Sequence, residues 1–303
     1  MKKKTLLTIV LALLMGSTMQ AQLLWKISGN GLEKPSYIIG THHLASVAFI
    51  DEIAGVKEAL TASEQVFGEL NMDVMANADS LALMQEAMLL PDGQTLKDVL
   101  TPQQFDKVDK FLLKTMGVGF KSPEVLQSMG RMTPQTLTTQ LVVISYMMNH
   151  MGEFDPTAPF DSYFQLQAKH NNMPVGGLET LAFQSDLLYR SYSMERQSQL
   201  LECFVDHYDF QVQMLEKLSA AFKAQDLDAL KAASDEKIGN QCDNTPEEDA
   251  ALISNRNKVW AAKIPAIMQS AATFFAVGSL HLPGEDGLLQ LLRNQGYTVE
   301  GVK

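Results

Sequence analysis

Two strand-like apolar runs, Tyr37-Ile38-Ile39 near the start and Phe274-Phe275-Ala276-Val277 near the finish, each end in a glycine followed three residues later by a histidine. The signatures are Gly40-Thr41-His42-His43 and Gly278-Ser279-Leu280-His281. A strand that gives way to a loop there sets the loop's side chains where open α/β sheets keep their ligands. Finding the same exit at both ends of the chain predicts one sheet assembled from both termini, which would draw His43 and His281 together. Glycine suits the position because, without a side chain, it allows a tight strand exit and a close approach of backbone to a ligand.

The intervening pattern agrees with that topology. Segments 23–28 and 36–40 are apolar and β-prone around the turn-rich Gly29-Asn30-Gly31, a helix-like stretch covers 52–62, and Gln65-Val66-Phe67-Gly68-Glu69-Leu70 has strand character. From 77 to 222 the periodicity is helical, with 173–177 the main strand candidate. Thr101-Pro102-Gln103-Gln104 and Thr133-Pro134 read as helix starts, where threonine caps free N–H groups and proline suits the first turn. Thr245-Pro246-Glu247-Glu248 has the capping-box form and announces a helix through 268. A strand over 273–277, a helix over 285–294 and a strand over 297–302 close the chain. The expected fold class is α/β: a central mixed sheet built from the N- and C-terminal segments, with a large helical insertion at about 77–270, in one domain over 22–303.

Lys2, Lys3 and Lys4 precede an uncharged apolar stretch and then small and polar residues to Ala21, the pattern of a secretory signal peptide over 1–21. The apolar core of about ten residues is short of the ~20 needed to cross a bilayer, so no membrane span is expected after cleavage. The expected location is secreted or periplasmic. The chain has 24 basic and 35 acidic residues, and without the leader lysines the net charge falls to −14. Such a surface repels nucleic acid and anionic lipid, and no basic run offers an exception, which excludes a nucleic-acid partner. In an oxidising compartment Cys203 and Cys242 are candidates for a disulfide worth roughly 4 kcal/mol on the chain-entropy model. The alternative is two buried thiols. Neither has a neighbouring cysteine at ligand spacing, so no metal site is expected on them. Oligomeric state is left open.

A hydrolytic metal site needs several lone pairs converging on one point while leaving room for water. His43, His281 and Glu69 stand at or near the ends of separate predicted strands and could supply them. Two imidazoles and a carboxylate suit Zn²⁺, Mn²⁺, Co²⁺ or Fe²⁺ without choosing among them. His42 adjoins His43 and by strand alternation points the other way, so only one of the pair should coordinate. Asp161 reads as a helix N-cap, and His150, His170 and His207 as surface or core residues. There is no Gly-x-Ser-x-Gly elbow, no His-Glu-x-x-His helix and no phosphate-cradling glycine loop.

The ordered set of motifs resembles the TraB/PrgY/GumN family, which includes the Tiki proteases. The resemblance is carried by Gly40 to His43, Phe67-Gly68-Glu69-Leu70, Gly177-Leu178-Glu179-Thr180 with Gln184, Arg256-Asn257, and Gly278 to His281 running into Pro283-Gly284-Glu285-Asp286-Gly287-Leu288-Leu289. It implies a fold related to the erythromycin esterases and haem-binding ChaN proteins, and a divalent-metal-dependent peptidase using Mn, Co or Zn on a peptide or protein substrate. By the same resemblance His43 and His281 become metal ligands and Glu69 the acidic ligand or general base. Glu179 and Arg256 become catalytic groups for positioning and charge stabilisation, and Asn257 and His42 substrate-binding candidates. The alternative is a non-catalytic protein that holds a peptide, haem or metal in the same cleft.

Overall fold

Strands β1 (Leu24–Ser28), β2 (Ser36–Thr41), β3 (Gln65–Gly68), β4 (Val175–Gly177), β5 (Thr273–Gly278) and β6 (Thr298–Gly301) form one sheet in the order β4-β3-β5-β2-β1-β6. This is a computed structural model describing residues 22–303 except 152 and 154–158, and the six strands are counted among those residues. The signal peptide expected over 1–21 lies outside the described residues. Strands β4, β3, β5 and β2 run parallel, while β1 is antiparallel to both β2 and β6. The sheet is therefore mixed, with five strands from the two chain ends and the edge strand β4 supplied from within the helical insertion, so the expected origin in the terminal segments holds for all strands but one.

The local chemistry explains the layout. Gly29, Asn30 and Gly31 all take positive φ (78°, 46° and 83°), which turns β1 back so that Leu24 pairs with Ile39. Strand β5 is buried along its first five residues, as a central parallel strand between β3 and β2 must be. The Phe160–His170 helix covers it, stacking Phe164 on Phe274 with ring centres 5.0 Å apart. A second apolar cluster lies among the Pro102–Met116, Pro134–Asn149 and Met194–Asp206 helices, centred on Val108, Leu112, Leu137, Leu141, Leu201 and Phe204.

Thr101 and Thr245 make capping boxes with Gln104 and Glu248, and Thr133 caps its helix through its hydroxyl. Several boundaries differ from the sequence pattern. The helix begun at Thr245 stops at Leu252, because Ile253 (φ −123°, ψ −73°) leaves the helical region, and a new helix runs over Ser254–Ser270. The expected helix over 52–62 is a 3₁₀ turn, Val47–Glu52, and a short helix, Val56–Ala62, separated by Gly55 at φ 71°. The last helix begins at Leu288 rather than 285. Cys203 and Cys242 are bonded, with Cα atoms 5.4 Å apart, tying the Met194–Asp206 helix to the loop that leads into the Thr245 cap. No helix among the described residues is long and apolar enough to cross a membrane.

Candidate functional site

Because β4, β3, β5 and β2 are parallel and in register (Gly177 with Gly68, Gly68 with Ala276, Gly278 with Thr41), their carboxyl ends form one edge. The residues that follow are Leu178-Glu179, Glu69, Ser279-Leu280-His281 and His42-His43. The glycines bring these loops close together. A Cβ at Gly40 would lie 2.9 Å from the Ser279 Cβ, and one at Gly278 would lie 3.1 Å from Glu69 Oε1. Each signature is thus packed against another part of the site.

Arg256 is the hub. It stands one turn before Trp260 in the Ser254–Ser270 helix, with a side chain only 7% exposed. Its Nη2 donates to Glu69 Oε2 (2.6 Å) and Glu179 Oε1 (2.7 Å), and its Nε donates to Glu179 Oε2 (3.1 Å). Nη1 donates to the Leu252 carbonyl (3.1 Å), which the helix break at Ile253 leaves available. The indole of Trp260 lies under the guanidinium at 4.6 Å and donates to Glu179 Oε2. Gln184, in the helix Leu181–Tyr189 capped by Thr180, bridges the carboxylates of Glu69 and Glu179 through one amide nitrogen. Burial of this kind is tolerated because every charge is paired and hydrogen-bonded.

His281 completes the buried side. Asn257 donates through Nδ2 to the carbonyls of His281 (3.2 Å) and Asp286 (2.8 Å), which leaves its Oδ1 as an acceptor 2.7 Å from His281 Nδ1. The histidine therefore carries its proton on Nδ1, and Nε2 presents a lone pair to Arg256 Nη1 at 3.0 Å. Burial pushes its pKa down to about 4, against the opposing pull of Glu69, so the ring is neutral at physiological pH. Burial works against ionisation of Glu69, but its coupling to the neighbouring His281, the charge of Arg256 and the Gly278 N–H (2.9 Å to Oε1) outweigh it and hold the carboxyl below its ordinary range.

His43 meets different surroundings. Its side chain is 77% exposed and its Nδ1 lies 2.6 Å from Asp161 Oδ2. The other oxygen of Asp161 accepts the Thr41 hydroxyl. The Asp161 carboxylate pushes the His43 pKa up to about 9, by its charge and then by its hydrogen bond, and Glu69 adds to the effect. Asp161 is not the helix N-cap expected from the sequence: that position belongs to Pro159, and Asp161 sits in the first turn with its carboxylate turned to the strand end.

His42 points elsewhere. Its Nδ1 accepts the Leu44 N–H, its ring lies 5.2 Å from that of Phe222, and with Phe49, Tyr146 and Lys223 it lines a cavity of about 350 Å³. Burial pushes its pKa down to about 4. Asn257 is wholly buried, and both ends of its amide are engaged by His281 and the loop after it. His150, read as a plain surface or core residue, is held between Glu153 and Glu216 and stacks on Tyr146. A second cavity, about 660 Å³, lies between 82–92 and 189–197 and is lined by none of the site candidates.

The donors fit a divalent ion in part. Among the described residues no three His, Cys, Asp or Glu side chains close on one point. His281 Nε2 and Glu69 Oε1 lie 3.8 Å apart, a separation that two ligands of one ion can span at bonds of about 2.0–2.2 Å, and the His281 tautomer is the one a ligating Nε2 requires. The competing group is Arg256, whose Nη1 points its N–H at the same lone pair.

Topology and site together define an α/β protein whose polar centre lies at the carboxyl ends of parallel strands, where such sheets bind ligands. More narrowly, the chain belongs to the TraB/PrgY/gumN family, whose profile matches residues 23–301. It is similar to Metalloprotease TIKI1 of Danio rerio, 23% identical over 317 residues that cover 91% of this chain and 62% of the relative. It is likewise similar to the Metalloprotease TIKI homolog of Nematostella vectensis, 21% identical over 311 residues, 89% of this chain and 65% of the relative. The chain thus spans less than two thirds of the length of either. No solved structure matches it.

Proposed function

We propose that the chain is an exported, divalent-metal-dependent hydrolase of peptide bonds in a peptide or protein substrate, acting at the carboxyl edge of the sheet. The observation that carries this reading is the meeting of His281, Glu69, Glu179 and Arg256 beside parallel strand ends, in a chain whose relatives are named metalloproteases. His281 Nε2 and Glu69 Oε1 are the donors that would hold the ion. When bound, it supplies Lewis acidity and lowers the pKa of a coordinated water.

The chain's own groups do the rest. Glu69, held ionised, is the proton acceptor beside that position. Arg256, fixed by two carboxylates, sets its positive charge beside negative charge developing on a carbonyl oxygen. His43 carries a proton on Nε2 at neutral pH and can give it to a departing amine, and while it does so it has no lone pair there for a metal. Asn257 orients His281, and the aromatic cavity beside His42 receives an apolar substrate side chain. Export is supported by the disulfide, which persists in oxidising compartments.

The test is turnover of a mixed peptide substrate by protein lacking residues 1–21, with Mn²⁺, Co²⁺ or Zn²⁺ added and the metal content measured. Cleavage that disappears in Glu69→Gln and His281→Ala, together with bound metal, is expected. Cleavage that survives both substitutions overturns the reading, and stoichiometric binding without turnover reassigns the edge to a non-catalytic binding protein.

A further inference from the structure

We propose that Asp161 is a positioning residue of this site: it clamps Nδ1 of His43 so that Nε2 is the ring atom left free, and Thr41 fixes the clamp. The His43 to Asp161 contact is 2.6 Å, and the second carboxylate oxygen accepts the Thr41 hydroxyl, so both oxygens are committed. Nε2 of His43 makes no hydrogen bond among the described residues. A carboxylate held at both oxygens cannot swing, and an imidazole bonded to it has one rotational setting.

Both anchors are themselves rigid. Thr41 ends β2, is buried and pairs with Gly278 across the sheet. Asp161 belongs to the helix whose Phe164 stacks on Phe274, and whose Gln165 donates to the Leu70 carbonyl and accepts the Met72 N–H. The clamp therefore joins a helix to a strand end, and the histidine between them would otherwise be a loosely held, exposed side chain. An ordinary first-turn acid would favour the helix dipole from any rotamer, and that role needs neither Thr41 nor His43.

The catalytic consequence rests on the hydrolase reading, whereas the clamp does not, and two readouts separate them. In protein with ¹⁵N-labelled histidine, the His43 Nδ1 proton, identified by its loss in His43→Ala, should resonate at low field and vanish in Asp161→Asn. In turnover, Asp161→Asn should lower kcat by about 10- to 100-fold with KM within about twofold, and should add nothing in a His43→Ala background. Thr41→Val should move both readouts the same way by less. The proposal is overturned if the low-field proton persists in Asp161→Asn, or if the Asp161 and His43 losses multiply. Should Asp161→Asn not fold, Thr41→Val decides: a shifted or broadened His43 proton supports the clamp, and an unmoved one overturns it. A wild-type protein that shows the proton but cleaves nothing would defeat the hydrolase reading and leave the clamp standing.

Discussion

His281 and His43 stand three residues past a glycine on neighbouring parallel strands, yet they end in opposite environments. His281 is buried against Trp260, neutral, and held by an amide. His43 is exposed, charged, and held by a carboxylate. The difference arises from what packs over each loop: the Ser254–Ser270 helix brings Asn257 and Arg256 to one, and the Phe160–His170 helix brings Asp161 to the other. Environments that push two like groups apart are how a site obtains a lone pair and a proton from the same residue type at one pH.

The largest effect expected from breaking the comparison lies on the buried side. Glu179→Ala leaves Arg256 with one carboxylate in a dry setting, and a loss of about 3–5 kcal/mol in unfolding free energy should appear in urea titration. An unchanged midpoint would mean that the network contributes little to the fold. His281→Ala should abolish turnover and also lower stability, by about 1–3 kcal/mol, because it strands Asn257 Oδ1. His43→Ala, by contrast, should lower turnover at least as far as Asp161→Asn while leaving measurable residual cleavage, with stability held within about 1 kcal/mol because the imidazole is largely exposed.

A subtler measurement sharpens the contrast through pH. The folded pKa of His281, near 4, lies below its unfolded value of 6.5, so the neutral ring favours the fold; that contribution is complete above about 6.5 and is lost as pH falls through 4. His43, near 9 when folded, contributes fully below 6.5 and loses its contribution as pH rises through 9. Denaturation midpoints from pH 4 to 10 should therefore lose acid-side slope in His281→Asn and alkaline-side slope in His43→Asn. Matching changes in both variants would remove the distinction.

Much of this was legible in the sequence, and the reason is locality. The strands and the threonine caps at Thr101, Thr133 and Thr245 depend on a few adjacent residues, and the Cys203–Cys242 bridge is the one pairing that two cysteines allow. The break at Ile253 was hidden because no glycine or proline marks it. Asp161 was misread because a first-turn acid resembles a cap, while its partner His43 lies 118 residues away. The adjacency of Arg256 and Glu69, 187 residues apart, was reachable only through the resemblance to the family, since helical periodicity says nothing of what a buried arginine meets. The division of charge between the two histidines had no sequence signal, because both motifs read alike.

Where Gly40 touches Ser279, backbone and side chain leave no gap for a methyl group. A lesion at that glycine would be transmitted to the other signature, whose own residues would have to yield. Genetic suppressors of Gly40→Ala should accordingly cluster at 279–282, at the far end of the reading frame, and the two halves of the motif would be inherited as one epistatic unit.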